Sequence, residues 1–571
     1  MHTIKEVLMK NKLIGILVSI VLLTVLLFDP SCVLASEESL KIYDSTVDFR
    51  HFDYQVDENF MLVGYDENNI VTTTFNTIVI ENTYIKVTLL PEFGGRILSI
   101  IYKPTGHELL YQNPIGTPYG IQEGNFYYNW LMVYGGIFPT FPEPEHGKAW
   151  GLPWEAEIVE KSDEKISVSM SFTDTISPVP GVPDRFNNGN TGMTCVSTVT
   201  VYKDKSYVDY NIKLINNKNE TVKYEYWTCL TLAPGSEPGN TLCPPETEMV
   251  VPIDKVLLRD NWWPWMGTVD KAIDAKEHIF EYRNLAWFKN WSDMGIAYAS
   301  PSVEKDWWGV INQENKEGIL RIANNKDNTP GLKFWTWGIN SHNTDPATFG
   351  DSSRPYIELW GGHSSEFFAA TTIKANEIKA WDEYYIPTVG MSKITNASKN
   401  GAAYLEYDTE NASVNINAEV FTTHPGKELK MSLALKGNET LFLLEENFDS
   451  SPDKADIFTV SVPEESVSEG FSLLTLEVKD ANGEILLSAE TPFGDPKQEE
   501  TEGNDIGDQP GTEPTETPGN GPVREPEDQA DKEHEKVSYL SVFILPAGMA
   551  VIALIIIVLI IVGSRKNKKP K

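Results

Sequence analysis

Nine histidines occur in 571 residues, and one of them, His146, lies in a stretch built unlike the rest of the chain: GGIFPTFPEPEHGKAW, Gly135 to Trp150. Pro139, Pro142, Pro144 and three glycines interrupt both a helical and a strand period, so the stretch reads as a loop. Irregular backbone stiffened by proline and set among flat rings makes a preset surface for a ligand. An imidazole in such a loop either meets that ligand or bonds its own turn. Glu143 and Glu145 flank it, placed to orient the ring or raise its pKa.

The tryptophans point to one class of ligand. There are 15, crowded into DNWWPWMG, NLAWFKNW, DWWGV and FWTWG, often beside Asp or Asn, as in Asp260-Asn261-Trp262-Trp263 and Asp306-Trp307-Trp308. Flat rings stack on the C–H faces of a pyranose while carboxylates, amides and guanidinium groups take its hydroxyls. Most aromatic side chains of a β body serve packing, so the candidates for a ligand are those nearest the loop and in the WTWG run: Trp150, Trp335 and Trp337. Arg96, in Gly94-Gly95-Arg96, is the candidate cation, either for a substrate hydroxyl or carboxylate or for a structural ion pair.

Composition narrows the partners. A formal net charge of −35 lacks the clustered Lys and Arg that a nucleic-acid backbone requires, so a neutral partner fits better. After Cys32, which falls within the leader, Cys195, Cys229 and Cys243 remain, with no CxxC and no interleaved His. That spacing gives no metal site, and no cofactor motif is present. The expectation is one disulfide, Cys229 to Cys243 across LAPGSEPGN, with Cys195 reduced; Cys195 bonded to Cys229, or three free thiols, are the alternatives.

The elements that position these groups read as β throughout. TIVIENTYIKVTLL, RILSIIYKPTGHELLYQ, EAEIVEKSDEKISVSMSF and TCVSTVTVYKDKSYVDYNIKLINN alternate with period two between short turns, and no run keeps helical spacing between about Ile42 and Phe493. The expected fold class is all-β: a large antiparallel β-supersandwich over 36–392, then a small immunoglobulin-like β-sandwich over 400–492 with roughly seven strands. Tryptophan, frequent up to Gly390, is absent from the second piece.

Both ends read as addresses. Residues 1–35 carry three lysines, a long apolar run and Val33-Leu34-Ala35, the pattern of a secretory signal peptide; an uncleaved anchor is the alternative. Residues 493–536 are an acidic Pro/Thr/Glu-rich stretch expected to be a disordered stalk. Residues 538–563 are uncharged and long enough to span ~30 Å of hydrocarbon as a transmembrane helix, with a basic cytoplasmic tail at 564–571. The expected localisation is the cell membrane, single-pass, with the bulk extracellular. Sequons at Asn219, Asn290, Asn396, Asn411 and Asn438 are possible glycan acceptors.

YIKVTLLPEFGGRILSIIYKPTGHELLYQN, GGIFPTFPEPEHGKAWGLPWEAEI, GLKFWTWG and YIELWGGHSSEFFAATTIKANEIKAWDEYYIPTVG together resemble the galactose mutarotase-like (aldose 1-epimerase) superfamily, most of all a branch known only as a domain of unknown function. The likeness spans roughly Thr77 to Met391. It implies a β-supersandwich that takes a sugar on the concave face of its large sheet, without metal or cofactor. It implies that Glu358 is the base and His146 a substrate contact; strand alternation then puts Tyr356 and Trp360 on the Glu358 face as an aromatic floor. One departure matters: the family's second histidine, read as general acid, should fall near YEYWTCLTLAPG, where Trp227 and Thr228 stand instead. Either His146 serves as acid, His278 or His342 moves in, or sugar is bound without turnover. Three functions follow: a tethered carbohydrate-binding protein, a sugar epimerase or mutarotase (by fold analogy also a lyase or hydrolase), or a structural surface protein with a vestigial site.

Overall fold

The computed structural model describes residues 39–56, 62–115, 118–119, 130–131, 135–143, 146–177, 189–258, 263–340, 355–467 and 470–494. The leader, nearly all of the stalk, the apolar span and the basic tail lie outside the described residues, as do Glu145 and His342. Among the described residues no helix is long and apolar enough to cross a membrane.

The protein is all-β, with large antiparallel sheets of 13 and 8 strands among the described residues. In the smaller sheet, Val208–Asn216 shows why the chain folds this way: Val208, Tyr210, Ile212 and Leu214 point inward while the residues between them are partly or fully exposed. Its neighbours Met193–Tyr202 and Ile378–Val389 keep register with it, Ile212 standing opposite Ser197 and Trp381. Those inward chains share one core with Leu230, Leu232, Leu332, Phe334, Ile357 and Leu359 of the larger sheet. Each such aliphatic or aromatic chain contributes roughly 1.5–3 kcal/mol relative to exposure.

The centre of the larger sheet positions the site. His107–Leu110, Trp227–Ser236, Ile357–Gly362, Gly331–Thr336 and Gly295–Ala299 lie side by side in that order, and Ile137–Thr140 also pairs with Trp227–Ser236. One set of alternate residues feeds the core. The other set, including Cys229, Lys333, Glu358 and Trp360, faces the opposite way.

Ahead of this meander the structure adds a hairpin that the sequence pattern did not separate, Lys41–Val56 paired with Leu62–Glu81. After it, eight strands rather than seven form two four-stranded antiparallel sheets, from Asn396–Ser398 to Ile485–Pro492. Ile416, Leu433 and Leu476 lie in a core of their own. A third cluster, with Tyr207, Ile386, Met391, Ala402 and Phe421, joins this part to the larger body. Ser392 adds two bonds to the Glu419 carboxylate, at 2.7 Å from its amide and 2.6 Å from its hydroxyl.

The expected disulfide is not formed: Cys195, Cys229 and Cys243 are all buried free thiols. The sheet itself separates the expected pair. Cys229 packs with Phe138, Trp227 and Trp360 on one face, whereas Cys243 lies in the main core and donates its thiol to the Leu232 carbonyl at 3.1 Å. Closeness in sequence across a loop does not put two side chains on the same face of a strand.

Candidate functional site

Trp360 is the hub of the site. Pairing sets Lys333 and Cys229 directly beside it, on the two neighbouring strands. Its indole Nε1 donates to Glu358 Oε2 at 2.8 Å, and the Tyr356 hydroxyl donates to Glu358 Oε1 at 3.2 Å. Tyr356, Glu358 and Trp360 therefore share one face, and all three are buried. Lys333 Nζ lies 4.0 Å from the Trp360 ring centroid and 4.2 Å from that of Phe367. The His146 ring is 5.5 Å from the same indole and 5.0 Å from Trp150. The structure thus brings His146 and Glu358, distant in sequence, to one tryptophan.

The loop that carries His146 is shaped from below. Gly147 has φ +73°, and a Cβ there would meet the Phe141 backbone nitrogen at 2.3 Å, so the His-Gly pair is a tight return that only glycine accepts. Arg96 fixes the loop's two ends. Its fully buried guanidinium donates to the carbonyls of Phe93 at 2.8 Å, Gly135 at 2.8 Å and Trp150 at 2.6 Å, and sits over the Phe138 ring at 4.5 Å. These three bonds tie the cation to the frame of the loop. Trp227 closes the far side. Its ring lies across the adjacent strands so closely that a Cβ on Gly362 would meet it at 2.2 Å.

Among the other expected residues, Trp335 stands opposite Glu358 in register and packs on Tyr356 at 5.8 Å, with Trp337 at 4.8 Å from Trp335. Tyr111 stacks on Tyr356 at 3.9 Å and extends this floor. Glu143 is buried and faces Lys148, 4.0 Å away, which also reaches Asp174 at 3.5 Å. His278 is exposed in the turn between Ala272–Asp274 and Ile279–Glu281, away from this cluster.

The electrostatics of His146 run opposite to expectation. Burial first, then the Lys333 and Arg96 charges, push its imidazole down to about 3 rather than up, so at neutral pH it is uncharged. A second group was not singled out in the sequence. Glu225, in the YEYW run, is buried and pushed up to about 7, by burial first and in part by the Glu143 charge. It accepts from Trp227 Nε1 at 3.4 Å and from the Phe368 amide at 3.1 Å. Lys333 and Phe367 were also missed. The signal for Lys333 was present: a cation in an otherwise apolar strand, two residues before Trp335 and so on the same face.

A family model described as a domain of unknown function (DUF5107) matches residues 59–388, more than half of the chain. The chain belongs to this family. The DUF5107 region contains every group gathered around Trp360. A second model, for the second domain of YphG-like proteins, matches residues 396–489. Among solved structures, the chain is similar to a TPR-domain containing protein from Parabacteroides distasonis, at 18% identity and a TM-score of 0.48, over 61% of this chain and 55% of that one. This chain thus spans about half the length of that protein. It is also similar to galactose mutarotase-like proteins from Lactobacillus casei, at 12% identity and a TM-score of 0.35 over 55% of this chain and 99% of that one, and from Clostridium acetobutylicum, at 11% and 0.37 over 55% and 96%.

Proposed function

We propose that this DUF5107 protein is a carbohydrate-binding protein whose ligand lies against Trp360, with Glu358 as its principal hydrogen-bond acceptor. The observation that carries this reading is the convergence of a carboxylate, an ammonium, an imidazole and several flat rings on one buried indole. That combination offers stacking faces for C–H groups and charged partners for hydroxyls. His146 is uncharged at neutral pH and is therefore not an imidazolium acid toward a ring oxygen. His146 then acts as a neutral donor or acceptor toward a hydroxyl, and Arg96 as the residue that sets the loop over the ring.

The leader, the acidic stretch and the terminal apolar run support display at the outer face of a membrane. In that arrangement the C-terminal strands, as an immunoglobulin-like sandwich, and the stalk serve as spacers. A screen of the full-length protein against an array of mono- and oligosaccharides tests the binding reading. Saturable binding of at least one sugar is expected, and no binding across the array refutes it. Protease added to intact cells tests the orientation: release of a large fragment is expected, and full protection until the membrane is permeabilised refutes it.

A further inference from the structure

Lys333 has no role in the family resemblance, yet the sheet places it beside the central acid. It pairs directly with Trp360, and Glu358 is two residues from Trp360 on the partner strand, so Lys333 and Glu358 are diagonal neighbours on one face. Diagonal Cβ atoms in an antiparallel pair are about 7 Å apart, within reach of two long side chains. Trp360 fixes both heads: its edge nitrogen holds the carboxylate, and its face holds the ammonium. Phe367 covers the ammonium from the other side and packs on Trp360 at 5.4 Å and Trp227 at 5.1 Å.

We infer that Lys333 and Glu358 form a two-headed contact for two adjacent hydroxyls of a neutral sugar, Lys333 donating to one and Glu358 accepting from the other. This rests on the sugar-binding reading above and specifies its ligand class. A hydroxyl both donates and accepts, so a vicinal diol can bond the ammonium and the carboxylate together without adding charge to the site. An acidic sugar fits worse, because its carboxylate would be buried beside Glu358, and like charges sharing a dry site disfavour ionisation. The net charge of −35 also opposes the approach of an anion. Phe367 is the roof of this contact. The residue after it, Phe368, is a half-exposed aromatic at φ +67°, a conformation bulky residues rarely adopt.

The test measures dissociation constants of the full-length protein for D-glucose, D-galactose and D-mannose, their uronates, and their 2-, 3- and 4-deoxy analogues, by saturation-transfer NMR and calorimetry. At least one neutral hexose is expected to bind, and removing one hydroxyl of an adjacent pair is expected to weaken it about ten- to hundredfold. Lys333→Met should weaken the parent sugar by a similar factor but cost little more with the deoxy sugar that lacks the hydroxyl bonded by Lys333, since both remove the same bond. Lys333→Arg, which keeps a donor, should restore part of the affinity, and this separates lost contact from lost fold. The inference is overturned, with the binding reading intact, if a uronate binds more tightly than its neutral hexose. It is equally overturned if Lys333→Met, melting like the wild type, leaves hexose affinity unchanged. If no hexose or uronate binds, the binding reading itself falls and this inference with it.

Discussion

Lowering the pH should destabilise this protein through His146, by an amount that follows from its surroundings. A histidine in the unfolded chain titrates near 6.5, while burial and the Lys333 and Arg96 charges hold the folded imidazole down at about 3. Between these values the unfolded chain takes up a proton that the folded protein refuses. The folded state is therefore disfavoured as pH falls through 6.5, and the loss is complete only below the folded value. At pH 5 the gap is about 1.5 units at 1.36 kcal/mol each, or about 2 kcal/mol from this one side chain. Burial also depresses His363, to about 3, and His424, to about 4, in the same direction. Glu225 acts against them: its carboxyl is pushed up to about 7, so it favours the folded state below its unfolded value and loses that contribution as pH rises toward 7. Burial raises Glu108, Asp209 and Glu248 as well, and these act in the same sense as Glu225, so the His146 contribution is read by comparing the wild type with a variant that lacks the imidazole. The assay is urea denaturation of wild type and His146→Gln at pH 5 and pH 7. The difference between the two pH values should be smaller by about 2 kcal/mol in the variant. An equal difference in the two proteins, or an NMR signal of His146 titrating near 6.5, would refute the assignment of a neutral buried imidazole.

Arg96→Met leaves three carbonyls, two of them buried, without this donor and should lower unfolding stability by about 3 kcal/mol or more; Arg96→Lys should not restore it, because one ammonium cannot reach all three, and a urea midpoint equal to wild type would count against the clamp. The fully buried Arg321–Glu383 pair, 2.9 Å apart with Trp381, Tyr385 and Thr228 also bonded to the carboxylate, should make Glu383→Ala cost about 3–5 kcal/mol by the same measurement, and a near-neutral effect would show that the network relaxes. Peptide mapping after alkylation in denaturant without reductant should find Cys195, Cys229 and Cys243 each alkylated, and a Cys229–Cys243 cross-linked peptide would contradict the separation of the two side chains by the sheet.

Fold class was legible because alternation is strong wherever a strand has one wet face, as in Met193–Tyr202 and Val208–Asn216. It was weaker where both faces are covered: every residue of Glu317–Ala323 and Gly331–Thr336 is buried, so period two carries no contrast there, and Lys333 is marked only as a cation among apolar residues. Strand order was not legible, since Trp227–Ser236 lies between His107–Leu110 and Ile357–Gly362 through crossovers that leave no local signal. Arg96 illustrates a further limit. A GGR turn announces a fixed cation, but whether its partners are backbone carbonyls or a ligand depends on loops more than forty residues away. His146 stood out by its loop and Glu358 was nameable only through the family resemblance; the sign of the histidine's pKa shift comes first from its burial and then from the two cations that folding brings beside it.

The central claim is that a sugar lies against Trp360 and bonds Glu358, and the affinity of Glu358→Gln for a sugar selected on the array tests it most directly. The amide keeps the shape and an acceptor for Trp360 but loses the charge beside Lys333, so stability should fall; measured on protein shown to be folded, the dissociation constant should rise about ten- to hundredfold. Wild-type affinity in that variant would contradict the account.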